Sequence, residues 1–580
     1  MVLAPVELEE FADLAAVWRT DSNRKRYVFP LSYANKVNAI QVARRIRVNS
    51  LDLRCLLYVS ALFLHASFWV EIYMFETAEL GRKVSRSHFK EQVPILRTEL
   101  LKVQQQLRRD KRFQVIIVFG GVDGAGKSET ANTLNEWMDP RGMATHAFGR
   151  PTEDERDRPE YWRYWLELPP KGDIGIYLSA WYSRPMLDRV YGRSDVGAYD
   201  RDLNRIAAFE KELVDDGALI LKFWMHLGKK AQKKRLNDLE KDPLTRWRVT
   251  EREKENWKMY DQFEVASDRL VHKTNTAAAA WNIVEGEDHK YRTLTVAGVV
   301  RDALTDKLQN SDSVTCATIP FLGASSTRGP NVLSKLDMQQ KCAKKEYSLL
   351  LEKYQGRLNQ LTLEARRQGL STILVFEGAD AAGKGGAIRR LVAALDAHSY
   401  KVIPIAAPTD EEKARHYLWR FWRHLPRAGR VTLFDRSWYG RVLVERIEAF
   451  ASEAEWKRAY AEINDFEEQL VERGAVVLKY WIHISKEEQL QRFKARENTP
   501  YKRWKITDED WRNREKWAEY EESVNDMVTL TSTGIAPWTL VEGNDKHFAR
   551  IKVLKTACER LQKALKERTG DVAKGSNNKK

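Results

Sequence analysis

Cysteine is scarce in this chain: four in 580 residues (Cys55, Cys316, Cys342 and Cys558), with no Cys-x-x-Cys and no paired spacing. That pattern argues against a disulfide framework and against a zinc site of ordinary ligand spacing, and it fits a reducing compartment such as the cytoplasm. Long apolar runs are missing too. The most hydrophobic stretch, CLLYVSALFLHASFWV at 55–70, is short for a membrane span and too far from the N-terminus for a signal peptide, so no membrane partner is expected. Acid is in deficit, with 82 Asp and Glu against 97 Lys and Arg, a formal charge of +15. Such a surplus favours an anionic partner (nucleic acid, an anionic membrane or an inorganic polyanion) without choosing among them. No familiar RNA-binding signature accompanies it, and no nucleic-acid partner is expected.

What the chain does have is repetition. IIVFGGVDGAGKS (116–128) lies over ILVFEGADAAGKG (373–385), and WRYWLELPPKG (162–172) over WRFWRHLPRAG (419–429), at the offset of 257 residues that separates Lys127 from Lys384. The register reads as interrupted by a three-residue insertion near 510 and restored before Trp538. Two homologous units follow, 74–310 and 340–566, joined by a Ser-, Thr-, Gly- and Pro-rich linker at 311–339 and ending in a polar, flexible tail at 567–580. Residues 1–73 have no partner in the second unit; Met74 as the true start and a genuine N-terminal extension both stay open. With 43% hydrophobic residues each unit can bury a core. Short β-branched runs (372–376, 401–405, 430–434, 475–484 and 538–541 in the second unit) alternate with helical periodicity. The fold class expected is therefore α/β: two tandem P-loop kinase-like domains, each a parallel five-stranded sheet flanked by helices.

Each unit carries a glycine loop between its first strand and first helix. Gly121-x4-Gly126-Lys127-Ser128, with Asp123 inside it, is a full P-loop signature; Gly378-x4-Gly383-Lys384-Gly385-Gly386, with Asp380 inside it, puts glycine in the hydroxyl position. Such loops converge backbone N–H groups on phosphate oxygens at a helix N-terminus, and the lysine adds a counter-charge. Gly385 offers no metal ligand, so Mg²⁺ in the second unit falls to carboxylates. Asp380 is one candidate; Asp435, which ends the apolar run VTLFD, is the other. Arg436 and Arg441 follow at once, suited to forking phosphate oxygens. The first unit writes Leu178 and Ser179 where the second has Asp435 and Arg436. It keeps a phosphate cradle and lacks the metal acid.

A third element, LQRFKARENTPYKRWK (490–505), places Arg492, Arg496, Lys502, Arg503 and Lys505 on one polar segment, resembling the basic lid of nucleotide kinases. Arg235 matches Arg492 in the first unit, but Leu239 replaces Arg496. FEGADAAGKGG, FDRSWYGR and SKEEQLQRFKAR together closely resemble the polyphosphate kinase 2 family, from Met74 nearly to the end. The tandem arrangement with a complete C-terminal copy resembles the two-unit members of that family. The resemblance implies transfer of the terminal phosphoryl group of inorganic polyphosphate to AMP, giving ADP, with Mg²⁺. It also implies active-site roles for Asp380, Lys384, Asp435, Arg436 and Arg492. Two other functions stay open: a kinase of the same family acting on nucleoside diphosphates, and a nucleic-acid-dependent P-loop ATPase. A homo-oligomer is compatible with all three.

Overall fold

The computed structural model describes residues 74–310 and 331–577. The segment 1–73, residues 311–330 of the expected linker, Cys55 and Cys316 lie outside the described residues.

Apolar runs that are buried on both faces favour parallel sheets, and the strands here are written that way. The first unit holds β1 (Val115–Gly121), β2 (Met143–Ala147), β3 (Ile174–Leu178), β4 (Leu219–His226) and β5 (Trp281–Glu285). The second holds β6 (Thr372–Gly378), β7 (Tyr400–Pro404), β8 (Val431–Asp435), β9 (Val476–His483) and β10 (Trp538–Glu542). Both sheets have the same order, β2-β3-β1-β4-β5 and β7-β8-β6-β9-β10, and every pairing is parallel. The expected α/β class and the five-stranded sheets are therefore present. The central strand of each sheet, β1 or β6, delivers its glycine loop to the edge where the chain crosses to opposite sides, the usual ligand crevice of such sheets.

One lysine interrupts each of the most buried strands, and its partners explain how the fold tolerates it. Lys479, fully buried in β9, donates to Glu467 Oε2 at 2.7 Å, to the Tyr439 hydroxyl at 2.8 Å and to the Thr531 carbonyl at 2.7 Å. Lys222 in β4 does the same with Glu210, Tyr182 and the Thr274 carbonyl. A buried ammonium is tolerable only with every proton placed, as here. Thr274 and Thr531 also settle the register. The offset of 257 holds through this region, and the insertion expected near 510 is absent: Asn256 and Asn513 each donate to the loop aspartate of their own unit at 2.9 Å. Low identity along these two polar helices had imitated a gap.

The two units meet as an isologous pseudo-dimer, each presenting the same patch to the other. Trp165 stacks on Trp422, its own counterpart, with ring centroids 5.6 Å apart. Arg158 donates to the Leu425 carbonyl and Arg415 to the Leu168 carbonyl, both at 3.1 Å. Across the same seam the helices Val196–Asp215 and Glu453–Glu472 are tied by Arg205–Glu472 and, just past the first helix's end, by Arg458–Asp216. Between these pairs lie Glu212, His416 and Glu462. His416 Nδ1 accepts the Leu418 N–H at 3.3 Å, which leaves the proton on Nε2, 3.8 Å from Glu212 and 3.6 Å from Glu462. Burial first, then the neighbouring Glu462 charge, hold the Glu212 carboxyl well above the usual carboxylate range. The arginine pairs are what tie the seam on either side of this buried cluster.

Two expected boundaries shift. The C-terminal part of the linker belongs to the second unit: Leu333 is buried in its core and the Val332 N–H donates to Asn525 at 2.8 Å. The expected flexible tail starts inside a helix that runs from Lys546 to Asn577, anchored by the buried face of Leu554, Ala557, Leu561 and Leu565. Among the described residues no helix is long and apolar enough to cross a membrane.

Candidate active site

The second glycine loop is shaped by contacts that only glycine permits. Gly378 has φ of 152° and a side chain there would stand 2.4 Å from the Ile482 carbonyl; Gly383, at φ 114°, opens the helix Lys384–Val392. Lys384 folds back over the loop, its Nζ donating to the Gly378 carbonyl at 2.7 Å. Burial, and then the Arg436 guanidinium, pull this ammonium below its ordinary pKa, while Asp380, Asp435 and Glu377 pull the other way. It is held ready for an anion.

Strand β8 lies beside β6 with Asp435 opposite Phe376, so its last side chain comes level with the loop. A Cβ built on Gly385 would stand 4.0 Å from Asp435 Oδ2. The missing hydroxyl and the strand-end carboxylate therefore face one another, and glycine leaves room between them. Asp380 Oδ1 receives Arg436 Nη2 at 3.2 Å, and Oδ2 receives Asn513 Nδ2 at 2.9 Å. Arg436 adopts a left-handed backbone, φ 64°, uncommon for a side-chain-bearing residue and typical of functional turns. Asp380, Lys384, Asp435 and Arg436 are thus brought together at one end of the sheet. Gly386 lies on the open side, where an added Cβ would meet Arg550 Nη2 at 3.5 Å.

The remaining basic residues are placed differently. Arg492 is buried and uses its whole guanidinium on the protein: Nη1 donates to the Ala381 and Ala382 carbonyls at 2.9 and 2.8 Å. Its Nη2 donates to Gly543 and Asn544 at 2.6 and 3.0 Å, and Nε to Glu488 at 2.6 Å. This arginine clamps the loop from beneath. Arg441 is paired with Glu445 at 3.2 Å and lies over the Tyr417 ring at 4.5 Å. Arg496 is half-buried one turn beyond Arg492, and Arg503 is exposed, donating to the Glu497 carbonyl at 3.1 Å. The side chains of Lys502 and Lys505 lie outside the described residues.

The first unit keeps the loop and changes what surrounds it. Lys127 donates to the Gly121 carbonyl at 2.6 Å and lies 3.6 Å from Asp123, and Gly126 repeats the left-handed φ at 91°. Ser179 preserves even the strained turn, φ 53°. Leu178, however, packs among apolar neighbours where Asp435 stands in the other unit. Glu129, one place beyond Ser128, takes the Gly386 position and draws Arg235 at 2.8 Å, Arg248 at 3.2 Å and Arg292 onto its carboxylate. Three guanidiniums that could meet phosphate are thereby engaged by an internal anion. The larger opening is nonetheless here, about 1240 Å³ against about 90 Å³ in the second unit. The strand-end carboxylate, however, stands only in the second unit.

Sequence reasoning passed over Glu129, Glu377, Ser437, Asn513 and Arg550. The repeat held a signal for four of them: Glu129 faces Gly386, Glu377 faces Gly120, Ser437 faces Ala180 and Arg550 faces Thr293, each at the common offset. Asn513, matched by Asn256, carried no such signal.

The polyphosphate kinase 2 family model matches residues 83–312 and again 341–569. A polyphosphate:AMP phosphotransferase of Pseudomonas aeruginosa is 48% identical over 496 residues, 85% of this chain and 100% of that one. Its namesake from Pseudomonas syringae pv. tomato is 46% identical over 492 residues, 85% and 99% of the two chains. A solved polyphosphate kinase 2 structure from Pseudomonas aeruginosa PA01 superposes with a TM-score of 0.76 at 48% identity, covering 85% of this chain and 99% of that one. A GDP-polyphosphate phosphotransferase of Mycobacterium tuberculosis is 36% identical over 242 residues, 42% of this chain.

Proposed function

This chain belongs to the polyphosphate kinase 2 family, and from that premise we propose that it transfers the terminal phosphoryl group of polyphosphate to AMP, with the chemistry in its second unit. One observation carries the placement. The strand-end carboxylate Asp435 facing Gly385 is present in the second unit and is Leu178 in the first. The acceptor follows the relatives that match along most of the chain, which are polyphosphate:AMP phosphotransferases.

In this account the loop N–H groups and Lys384 hold the donor phosphate, and Arg436 meets the charge that spreads over the phosphoryl oxygens in transit. Asn513 keeps Asp380 oriented, and Arg492 keeps the loop in shape. Asp380 and Asp435 fit Mg²⁺ as hard oxygen donors, and the space left by Gly385 fits it too. Held by Asp380 and Asp435, the ion would neutralise phosphate charge. The net charge of +15 suits a donor carrying about one charge per phosphate. Cys342 and Cys558, both free and buried, suit a cytoplasmic setting.

The test is to incubate the protein with polyphosphate and Mg²⁺, offering AMP, ADP, GMP and GDP separately. ADP formation from AMP is expected to be fastest by at least about tenfold. Faster triphosphate formation from ADP or GDP would move the protein to the diphosphate branch of its family, and turnover only with ATP and nucleic acid would remove it from phosphotransfer.

A further inference from the structure

Side by side, the two units form an internal control. The network that holds each sheet together is retained almost unchanged: Trp181 donates to Glu210 at 3.0 Å and Trp438 to Glu467 at 3.1 Å, beside the paired lysines already described. What the first unit has lost should therefore mark residues kept for chemistry. Asp435 and Arg436 are among the losses, and so is a buried pair inside the motifs already quoted, Glu377 and Ser437.

Glu377 is the next-to-last residue of β6, 5% exposed, and its Oε1 accepts the Ser437 hydroxyl at 2.8 Å. Ser437 Oγ in turn accepts the Tyr439 N–H at 3.3 Å, starting the short 3₁₀ turn Trp438–Val442. Ser437 directly follows the left-handed Arg436, and the Arg436 N–H is tied to Phe376, next to Glu377. The strained turn between Asp435 and the 3₁₀ helix is thus pinned to β6 at two adjacent residues. Glu377 also lines the cleft with Gly378, Asp380 and Arg436. In the first unit both partners are gone, replaced by Gly120 and Ala180. The space has closed as well: a Cβ on Gly120 would meet the Trp224 ring at 3.0 Å. The chain after β3 enters an α-helix at Ser183 in place of the 3₁₀ turn that follows β8.

We propose that Glu377 and Ser437 are positioning residues for phosphoryl transfer: Ser179 keeps the left-handed backbone without such a pair, so their hydrogen bond acts on the 3₁₀ turn that follows and fixes how the Asp435 carboxylate and the Arg436 guanidinium are presented to the glycine loop. The inference deepens the proposed function and rests on it. A buried hydroxyl-to-carboxylate bond ties the start of that 3₁₀ turn to β6 and so restrains the two residues just before it. Burial raises the Glu377 pKa, opposed by Lys384, the Ser437 hydroxyl and Arg436.

The experiment is steady-state kinetics with polyphosphate and AMP on the full chain, comparing Ser437→Ala, Glu377→Ala, Glu377→Gln and the double alanine variant. Both single alanine variants should lose about ten- to a hundredfold in kcat, with KM for AMP and polyphosphate within about threefold. The double variant should be no worse than the weaker single, because one bond is removed in each case. Glu377→Gln, whose amide oxygen still accepts the hydroxyl proton, should keep kcat within about fivefold and serves if Glu377→Ala does not fold. Multiplicative losses, a Gln variant as poor as the Ala variant, single variants within twofold of wild type, or a kcat loss matched by a fall in melting temperature would each overturn the proposal. An inactive wild type would overturn the proposed function and this inference with it; an active wild type with indifferent variants would overturn this inference alone.

Discussion

Asp435→Asn is expected to lower polyphosphate-dependent ADP formation by roughly a thousandfold or more, without moving the melting temperature. The substitution is isosteric. Asp435 is half-buried at a strand end, and its backbone carbonyl, which receives the Ile405 N–H at 3.0 Å, is untouched, so the fold has little to lose. What disappears is the negative charge facing Gly385. An amide oxygen is a much weaker ligand for Mg²⁺ than a carboxylate, and no hydroxyl stands by to replace it. Measuring ADP production beside a thermal melt separates the two effects. A variant within tenfold of wild type would remove Asp435 from metal binding.

Arg492→Lys comes second. Arginine reaches five acceptors here: the carbonyls of Ala381, Ala382, Gly543 and Asn544, and the Glu488 carboxylate. A lysine has three donors on one atom and cannot span carbonyls on two separate loops. At least two buried carbonyls would lose their partner, each at about 1–3 kcal/mol. The glycine loop would loosen, and kcat should fall by about a hundredfold because loop N–H groups act only when preorganised. Calorimetry should show a lower melting temperature in the same variant, unlike Asp435→Asn. Full stability with lost activity would instead return Arg492 to direct phosphate contact.

These two residues also show how much the sequence discloses. Repetition, the parallel five-stranded sheets and the glycine loops were legible because parallel sheets need continuous apolar runs and P-loops need glycine at fixed spacing. The grouping of Asp380, Lys384, Asp435 and Arg436 followed from those spacings. The work of Arg492 did not. A basic residue on a polar helix looks the same whether it faces solvent or clamps backbone carbonyls, since the acceptors are main-chain atoms with no signature. Arg441 illustrates the same limit: its neighbours in sequence suggested phosphate and gave no sign of the Glu445 and Tyr417 contacts it makes. Glu377 was hidden differently. An acid inside an apolar strand reads as a break in pattern until its counterpart, Gly120, is set beside it.

The claim that chemistry resides in the second unit alone is tested most directly by truncating one loop lysine at a time. Lys127 and Lys384 occupy the same place, each with its Nζ over the first carbonyl of its loop. In the unit of Lys127, however, the neighbouring strand ends in Leu178 where the second unit has Asp435, and Glu129 holds the nearby arginines. Polyphosphate-dependent ADP formation should be reduced by roughly a thousandfold in Lys384→Ala and stay within about twofold of wild type in Lys127→Ala. A folded Lys127→Ala protein that has lost a hundredfold would contradict the account.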